Sequence, residues 1–203
     1  MSHVGLLILL SLYFSIGCCH VYSFGLNRNG AVAVDTDVIV VSNPLLIPNL
    51  SALPIHSLST GISTSHVTIS NSSVFGFGND RNCAVGICRR SDVILPTLLP
   101  IHPFVLQSTS SSDHLTYFLL SNHTLLYSGR KTSGKYFPSY DGSFVTSPLP
   151  IDSLPPVKQI SGHAYHALCL TIDGQLYGIG SNLYYVLGFS NFVGELDTLY
   201  VFP

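Results

Sequence analysis

Residues 161 to 188, near the C-terminus, read SGHAYHALCLTIDGQLYGIGSNLYYVLG, and this stretch decides the fold. Two apolar runs flank an Asp-Gly pair, a pattern that predicts two strands joined by a tight turn. The second run ends at Gly180, where the lack of a Cβ permits a bend or a close backbone approach. Whether the hairpin stands alone or belongs to a repeat depends on the rest of the chain.

The glycine recurs with the same flanking residues in four stretches of the chain. These are VYSFGLN (21–27), VFGFGND (74–80), LLYSGRK (125–131) and LYGIGSN (176–182). Their glycines, spaced 53, 51 and 51 residues apart, are Gly25, Gly78, Gly129 and Gly180. A histidine precedes three of them (His66, His114 and His166), and another glycine follows each (Gly30, Gly86, Gly134 and Gly188). We therefore predict one domain, 1–203, of four units with approximate bounds 1–53, 54–104, 105–155 and 156–203.

Each unit predicts about four short strands, and proline-rich segments such as SNPLLIPNLSALPI separate the units. A single four-stranded sheet cannot bury both of its faces, whereas sheets packed radially around an axis can. The repeat therefore predicts an all-β chain with the architecture of a β-propeller of about four blades.

The last unit resembles the regulator of chromosome condensation (RCC) family of repeats. The residues at the signature positions are His166, Leu168, Leu170, Asp173, Gly174, Tyr177, Gly180, Asn182 and Gly188. The resemblance implies a rigid propeller whose loops bind protein partners, and a chain that is partial relative to the family's seven repeats. The name-giving member promotes nucleotide exchange on the small GTPase Ran and docks on nucleosomes.

Composition and motifs argue against several other functions. Charged residues make up 9% of the chain, against about 25% in a typical soluble domain. Arg89 and Arg90 are the densest basic pair, so we expect no direct nucleic-acid binding. His163 and His166 lack a third metal ligand placed by the sequence, and no catalytic or phosphate-binding motif occurs, so we expect no enzyme, metal or cofactor.

The sequence thus predicts a non-enzymatic protein-interaction scaffold, with a guanine-nucleotide exchange factor for a small GTPase as the alternative. A secreted or surface propeller is a second alternative, motivated by three N-glycosylation sequons at Asn49, Asn71 and Asn122. If the propeller does not close, its open blade edges would favour self-association.

The N-terminal run GLLILLSLYFSIGCC (5–19) has two interpretations. It is similar to the core of a cleaved signal peptide, and it is too short for a comfortable membrane span. Its position also matches the inner strands of a unit, with Leu12, Phe14 and Ile16 alternating as in a buried strand. We favour the retained first blade, which predicts an intracellular protein with unglycosylated sequons.

The five cysteines are Cys18, Cys19, Cys83, Cys88 and Cys169. The spacing of Cys83 and Cys88 would permit a small disulfide loop in an oxidising compartment. The odd count favours free thiols instead, as expected inside the cell.

Overall fold

The structure is a computed structural model, and it describes residues 6–9, 20–34, 38–102, 104–110, 115–130, 144–163, 166–182, 185–188 and 195–202. Short 3-10 helices cover Arg28–Gly30 and Pro48–Leu50. The strands are β1 (Leu6–Leu9), β2 (Val21–Leu26), β3 (Val40–Leu46), β4 (Ile55–Thr60), β5 (Thr64–Ile69), β6 (Val74–Gly78), β7 (Val93–Leu98), β8 (Val105–Ser110), β9 (Leu115–Leu120), β10 (Leu125–Arg130), β11 (Phe144–Pro150), β12 (Val157–His163), β13 (His166–Thr171), β14 (Leu176–Ser181) and β15 (Glu195–Val201).

The described strands form four antiparallel sheets in which neighbours in sequence are neighbours in space. Their orders are β1-β2-β3, β4-β5-β6-β7, β8-β9-β10-β11 and β12-β13-β14-β15. Strand β8 contacts β4 and β5 of the preceding sheet and β12 of the following one, so β4, β8 and β12 lie innermost. This radial stacking confirms the predicted all-β propeller.

Because strand direction alternates, each sheet has two chemically distinct ends. We call one the linker end; it comprises the described residues of 47–54, 70–73, 99–104, 121–124, 151–156 and 172–175. The other is the loop end, with the connections that follow β2, β4, β6 and β10.

A hydrogen bond that recurs in three sheets fixes the linker end. The amides of Ser70, Ser121 and Ile172 donate to the carbonyls of Pro54, Phe104 and Pro156, at 2.7, 2.8 and 3.0 Å. In each case a tight turn is tied to the linker that enters the same sheet. The equivalence of these bonds places the linker ends of the three sheets on one face of the molecule.

The core lies between the sheets, as the second strands show. All six residues of β9 are buried. Phe118 packs into a cluster with Val67 and Phe77 of the preceding sheet, while Tyr117 packs into a cluster with Ile160 of the following sheet. Side chains alternate between the two faces of a strand, so burial of every residue requires a neighbouring sheet on each side. The outer strands β3 and β11 are mostly exposed.

The structure describes only part of the N-terminal run 5–19, which we interpret as a retained first blade. Leu6–Leu9 forms β1 and pairs with Val21–Phe24 of β2, whereas Leu12, Phe14 and Ile16 lie outside the described residues. Within the described part of the chain, no helix has the length and apolar character needed to span a bilayer.

Candidate partner-binding face

The repeated glycine marks a β-bulge at the loop end of every sheet. Register shifts fall at Ser23/Gly25, Gly76/Gly78, Tyr127/Gly129 and Gly178/Gly180. The four glycines have φ angles of 115°, 110°, 124° and 98°, a region that other residues rarely adopt. The bulge bends the strand that carries the glycine as that strand leaves toward the loop end.

At Gly78 the backbone approach is too close for any side chain. An added Cβ would lie 2.1 Å from the carbonyl oxygen of Ser63, which also accepts a hydrogen bond from the amide of Asn79. The glycine thus lets the turn between β4 and β5 pack against the end of β6.

The residue two positions after this glycine organises the loop that follows. Asn27, Asp80 and Asn182 are buried, and the Oδ1 atom of each accepts the backbone N–H five residues on, from Val32, Val85 and Leu187 respectively. The sequence comparison singled out Asn182 but missed its two equivalents. The sequence did contain a signal for these residues. The second position after the repeated glycine is Asn or Asp in the first, second and fourth units, and it is Lys131 in the third unit.

The downstream glycines lie within these loops. Gly30, Gly86 and Gly188 have φ angles of 78°, 105° and 77°, and Gly134 lies outside the described residues. A Cβ on Gly30 would lie 2.7 Å from Cα of Ile94, and one on Gly86 would lie 3.3 Å from the Phe118 ring. Both glycines therefore permit a loop to pack on the next sheet.

The predicted turn of the last unit joins β13 and β14. Gly174 has a φ of 87°, and the Asp173 carboxylate accepts a hydrogen bond from the Thr171 hydroxyl. That bond lowers the pKa of Asp173. Both residues lie at the linker end, where they shape the turn.

His66 and His166 do not occupy equivalent positions in their sheets, although the sequence repeat aligns them. Residues paired with the bulge glycines Gly78, Gly129 and Gly180 lie fourteen positions before them, and they are Thr64, Leu115 and His166. His66 lies two residues further along its strand, opposite Gly76, and His114 lies outside the described residues. The sequence already indicated this difference, because His66 lies 12 residues before Gly78 whereas His166 lies 14 residues before Gly180.

His66 is a buried tie between blades. Its Nε2 donates to the carbonyl of Val85 at 3.0 Å, since a carbonyl only accepts, and the neutral Nδ1 then accepts from the Ser110 hydroxyl at 3.0 Å. Burial lowers the pKa of His66 to about 4. The ring therefore stays neutral and links the 79–92 loop to the third sheet. His163 pairs with His166 in the β12–β13 register, and no cluster of three metal-binding side chains occurs among the described residues.

Cys83 and Cys88 form a disulfide that closes the middle of the 79–92 loop, which corrects the expectation of free thiols. The buried Asp80 carboxylate accepts from the amides of Val85 and Arg89, and desolvation raises its pKa. Ser128 of the next sheet donates to the Cys83 carbonyl at 2.8 Å. The remaining described cysteine, Cys169, is buried, and burial raises the pKa of its thiol to about 12.

Around this loop the fold gathers arginines from three consecutive sheets. The chain's five arginines lie at the loop end, and all are exposed: Arg28, Arg81, Arg89, Arg90 and Arg130. We call this surface the arginine face. Sequence inspection missed it because the arginines are far apart in the chain. The available signal was that Arg28 and Arg81 each lie three residues after a repeated glycine.

Two groups of contacts hold the arginine face together. Asp92 accepts hydrogen bonds from Arg81 Nε and Nη2, both at 3.1 Å, and from Asn29 Nδ2 of the first sheet at 3.0 Å. The guanidinium of Arg90 lies 3.9 Å from the ring centroid of Phe144, whose Cα pairs with Arg130 in the third sheet. The surface is thus continuous across three blades.

A propeller of radial sheets, each with a bulge glycine leading into a loop at one end, defines an RCC1-type β-propeller fold, and comparison with solved structures confirms this fold. Human WBSCR16 is 17% identical, with a TM-score of 0.79 over 96% of this chain and 53% of that one. Prp20p from Saccharomyces cerevisiae is 12% identical, with a TM-score of 0.73 over 95% of this chain and 50% of that one. The same values of identity and TM-score hold for yeast RCC1 (Prp20) bound to Kap60.

The chain spans about half the length of these solved structures, at 53%, 50% and 48%. No protein-family model matches the sequence, and no curated protein sequence matches it. At these identities the likeness extends to the fold.

Proposed function

We propose that this chain is a non-enzymatic protein-interaction scaffold whose arginine face binds a partner protein. The observation that carries the proposal is the gathering of Arg28, Arg81, Arg90 and Arg130 at one end of three consecutive sheets. The face stands on a frame of bulges, a disulfide and cross-sheet hydrogen bonds, so its side chains are presented with little loss of backbone freedom on binding.

The chemistry of the face favours an acidic partner surface. Guanidinium groups bind carboxylates in a planar two-bond geometry, and arginine is enriched at protein interfaces. The acidic residues described within the face are committed to internal contacts, Asp80 to its loop and Asp92 to Arg81. Arg28 and Arg130 are exposed, and they lie on the sheets to either side of the Asp92–Arg81 ion pair. Five arginines mixed with aspartates are too sparse for phosphate-driven nucleic-acid binding, which supports a protein partner.

The contacts of His66 and Asp80, two buried groups with shifted pKa values, support a non-catalytic role. His66 uses both ring nitrogens to join Val85 and Ser110, and Asp80 uses both carboxylate oxygens to hold backbone amides. Neither is placed to receive a substrate, because each is buried within the protein.

Guanine-nucleotide exchange is the second candidate. The solved structure of Prp20p is described with its binding properties to Gsp1p and histones. This supports testing a small GTPase first among candidate partners. Release of fluorescent GDP from a Ran-type GTPase, with and without the purified chain, separates exchange activity from plain binding.

Affinity capture with matched variants tests the scaffold proposal. The variant Arg28→Glu/Arg130→Glu reverses two exposed charges that make none of the contacts holding the face. Lys158→Glu is the control, since it reverses an exposed charge in β12, outside the arginine face. We expect the double variant to lose partners that the wild type and the control retain, at an unchanged melting temperature. Equal capture by all three proteins would overturn the proposal.

A further inference from the structure

The three sequons lie on the face opposite the arginines. Asn49 lies in the Pro48–Leu50 turn between the first two sheets, Asn71 in the β5–β6 turn and Asn122 in the β9–β10 turn. All three therefore belong to the linker end defined by the repeated turn-to-linker hydrogen bonds.

Each acceptor asparagine is exposed. Asn71 Oδ1 accepts the amide of Ser73 at 3.0 Å, and Asn122 Oδ1 accepts the amide of Thr124 at 3.1 Å. The same side-chain turn thus forms at both sites between the asparagine and the hydroxyl residue of its sequon. It leaves Nδ2, the atom that carries an N-linked sugar, without a hydrogen-bond partner among the described residues.

The linker end is poor in charge and holds exposed apolar surface. Among its described residues, the formal charges are those of Asp152 and Asp173. A cavity of about 320 Å³ is lined by Ser72 and Ser73, which follow Asn71 in the chain, by His102 and by apolar residues. Of these, Leu98 is 55% exposed and Phe104 is 61% exposed. Exposed apolar surface is a liability for aggregation unless another molecule or group covers it.

The disulfide is an independent indication of the compartment. Bridges such as Cys83–Cys88 persist in oxidising environments and are rare in the cytosol. The same secretory compartments hold the machinery of N-glycosylation.

We propose that the chain is N-glycosylated at Asn49, Asn71 and Asn122, so that glycans cover the linker end and leave the arginine face open to partners. The sugar donor is a lipid-pyrophosphate-linked oligosaccharide. Asparagine Nδ2 forms a bond to the anomeric carbon of the first sugar and loses a proton to a base of the transferase. The bond from that carbon to the pyrophosphate oxygen breaks, and the lipid pyrophosphate leaves with the electron pair.

This inference goes beyond the proposed function and does not depend on which partner binds. It places the protein in the secretory pathway, in contrast to the intracellular expectation drawn from the N-terminal register. It also gives the propeller a polarity, because a face carrying three glycans is closed to a large partner protein.

Mass spectrometry of the protein from its natural source tests the proposal. Peptide-N-glycosidase in heavy-oxygen water converts each glycosylated asparagine to labelled aspartate. We expect labelled aspartate at 49, 71 and 122 and none at Asn79, which is in no sequon. Unmodified Asn71 and Asn122 in the natural protein would overturn the proposal, whatever the outcome of partner capture.

Two single substitutions in the full chain, expressed in eukaryotic cells, test each site without disturbing the fold. Ser73→Ala and Thr124→Ala remove the hydroxyl that the transferase requires but keep the backbone amides that bind Asn71 and Asn122. Each should lose one glycan in intact mass while the other sites stay occupied. A variant whose intact mass differs from that of the wild type only by the replaced side chain would contradict glycosylation at that site.

Discussion

The Nε2 atom of His66 donates a hydrogen bond to the carbonyl oxygen of Val85 at 3.0 Å, and the histidine is completely buried. One side chain thereby fixes the centre of the disulfide loop against the inner strands of its own blade. The Phe118 ring of the next sheet contacts the imidazole edge-on, at 5.3 Å between centroids.

This relationship predicts a loss of stability in mild acid. The pKa of His66 is about 4 in the folded chain and 6.5 when the group is unperturbed. Because the folded value is the lower one, the neutral-histidine contribution is complete above pH 6.5 and is lost as the pH falls toward 4. Between pH 7 and pH 5 the free energy of unfolding should drop by about 2 kcal/mol from this group.

Urea unfolding at pH 7 and pH 5 measures that drop. His66→Gln is the matched variant, since glutamine supplies a donor and an acceptor without a titrating ring. The variant should be less sensitive to pH than the wild type. Equal pH dependence in the two proteins would show that His66 is not the responsible group.

Gly78 and Gly174 form a matched pair for testing the bulge. Both have positive φ, but a Cβ at Gly78 would overlap the Ser63 carbonyl, whereas one at Gly174 would meet nothing within 4 Å. Gly78→Ala should destabilise by about 3 kcal/mol, and Gly174→Ala by about 1 kcal/mol. Thermal melts of the two variants make the comparison, and equal losses would contradict a steric role for Gly78.

Removing the disulfide should loosen the arginine face. Cys83 and Cys88 are five residues apart, and closing so short a loop contributes about 2 kcal/mol in the chain-entropy account. We expect Cys83→Ser/Cys88→Ser to unfold at lower temperature and to expose the amides of 79–92 to faster hydrogen exchange. An unchanged melting temperature and exchange rate would show that the hydrogen bonds of Asp80, His66 and Ser128 hold the loop without the disulfide.

Loss of the Asp80 carboxylate should be at least as damaging. Its two oxygens bind the amides of Val85 and Arg89, and both donors would lose their partner in Asp80→Ala. Leaving buried donors unpaired costs about 1–3 kcal/mol each. Asp80→Asn keeps one acceptor and should lie between alanine and wild type in a denaturant titration. Wild-type stability of the alanine variant would contradict this role.

The fold was predictable because its defining positions carry their signal locally. A bulge needs Gly25, Gly78, Gly129 and Gly180 in their own strands, and the Asp173-Gly174 turn needs no distant partner. The site was less predictable. Arg28 and Arg130 reach one surface only because equivalent positions of successive blades lie at the same end of the propeller. The repeat spacing indicates this arrangement, whereas the low overall content of charged residues gives no sign of it.

Some sequence positions misled for physical reasons. His66 and His166 look alike in the sequence, yet the strand pairing places Thr64 at the equivalent position of its sheet. Pairing of Cys83 with Cys88 depends on the loop that Asp80 folds, which an odd cysteine count does not reveal. Short-range periodicity thus predicted the strands, while the loops depended on buried polar contacts.

Hydrogen exchange of the chain, alone and with a captured partner, tests most directly whether the arginine face is the binding surface. Partner binding slows exchange where backbone amides become protected. If the arginine face is the binding surface, exchange slows in 27–34 and 79–92 and does not change in 47–54, 70–73 and 121–124. Protection confined to those three linker-end segments, with the arginine loops unchanged, would contradict it.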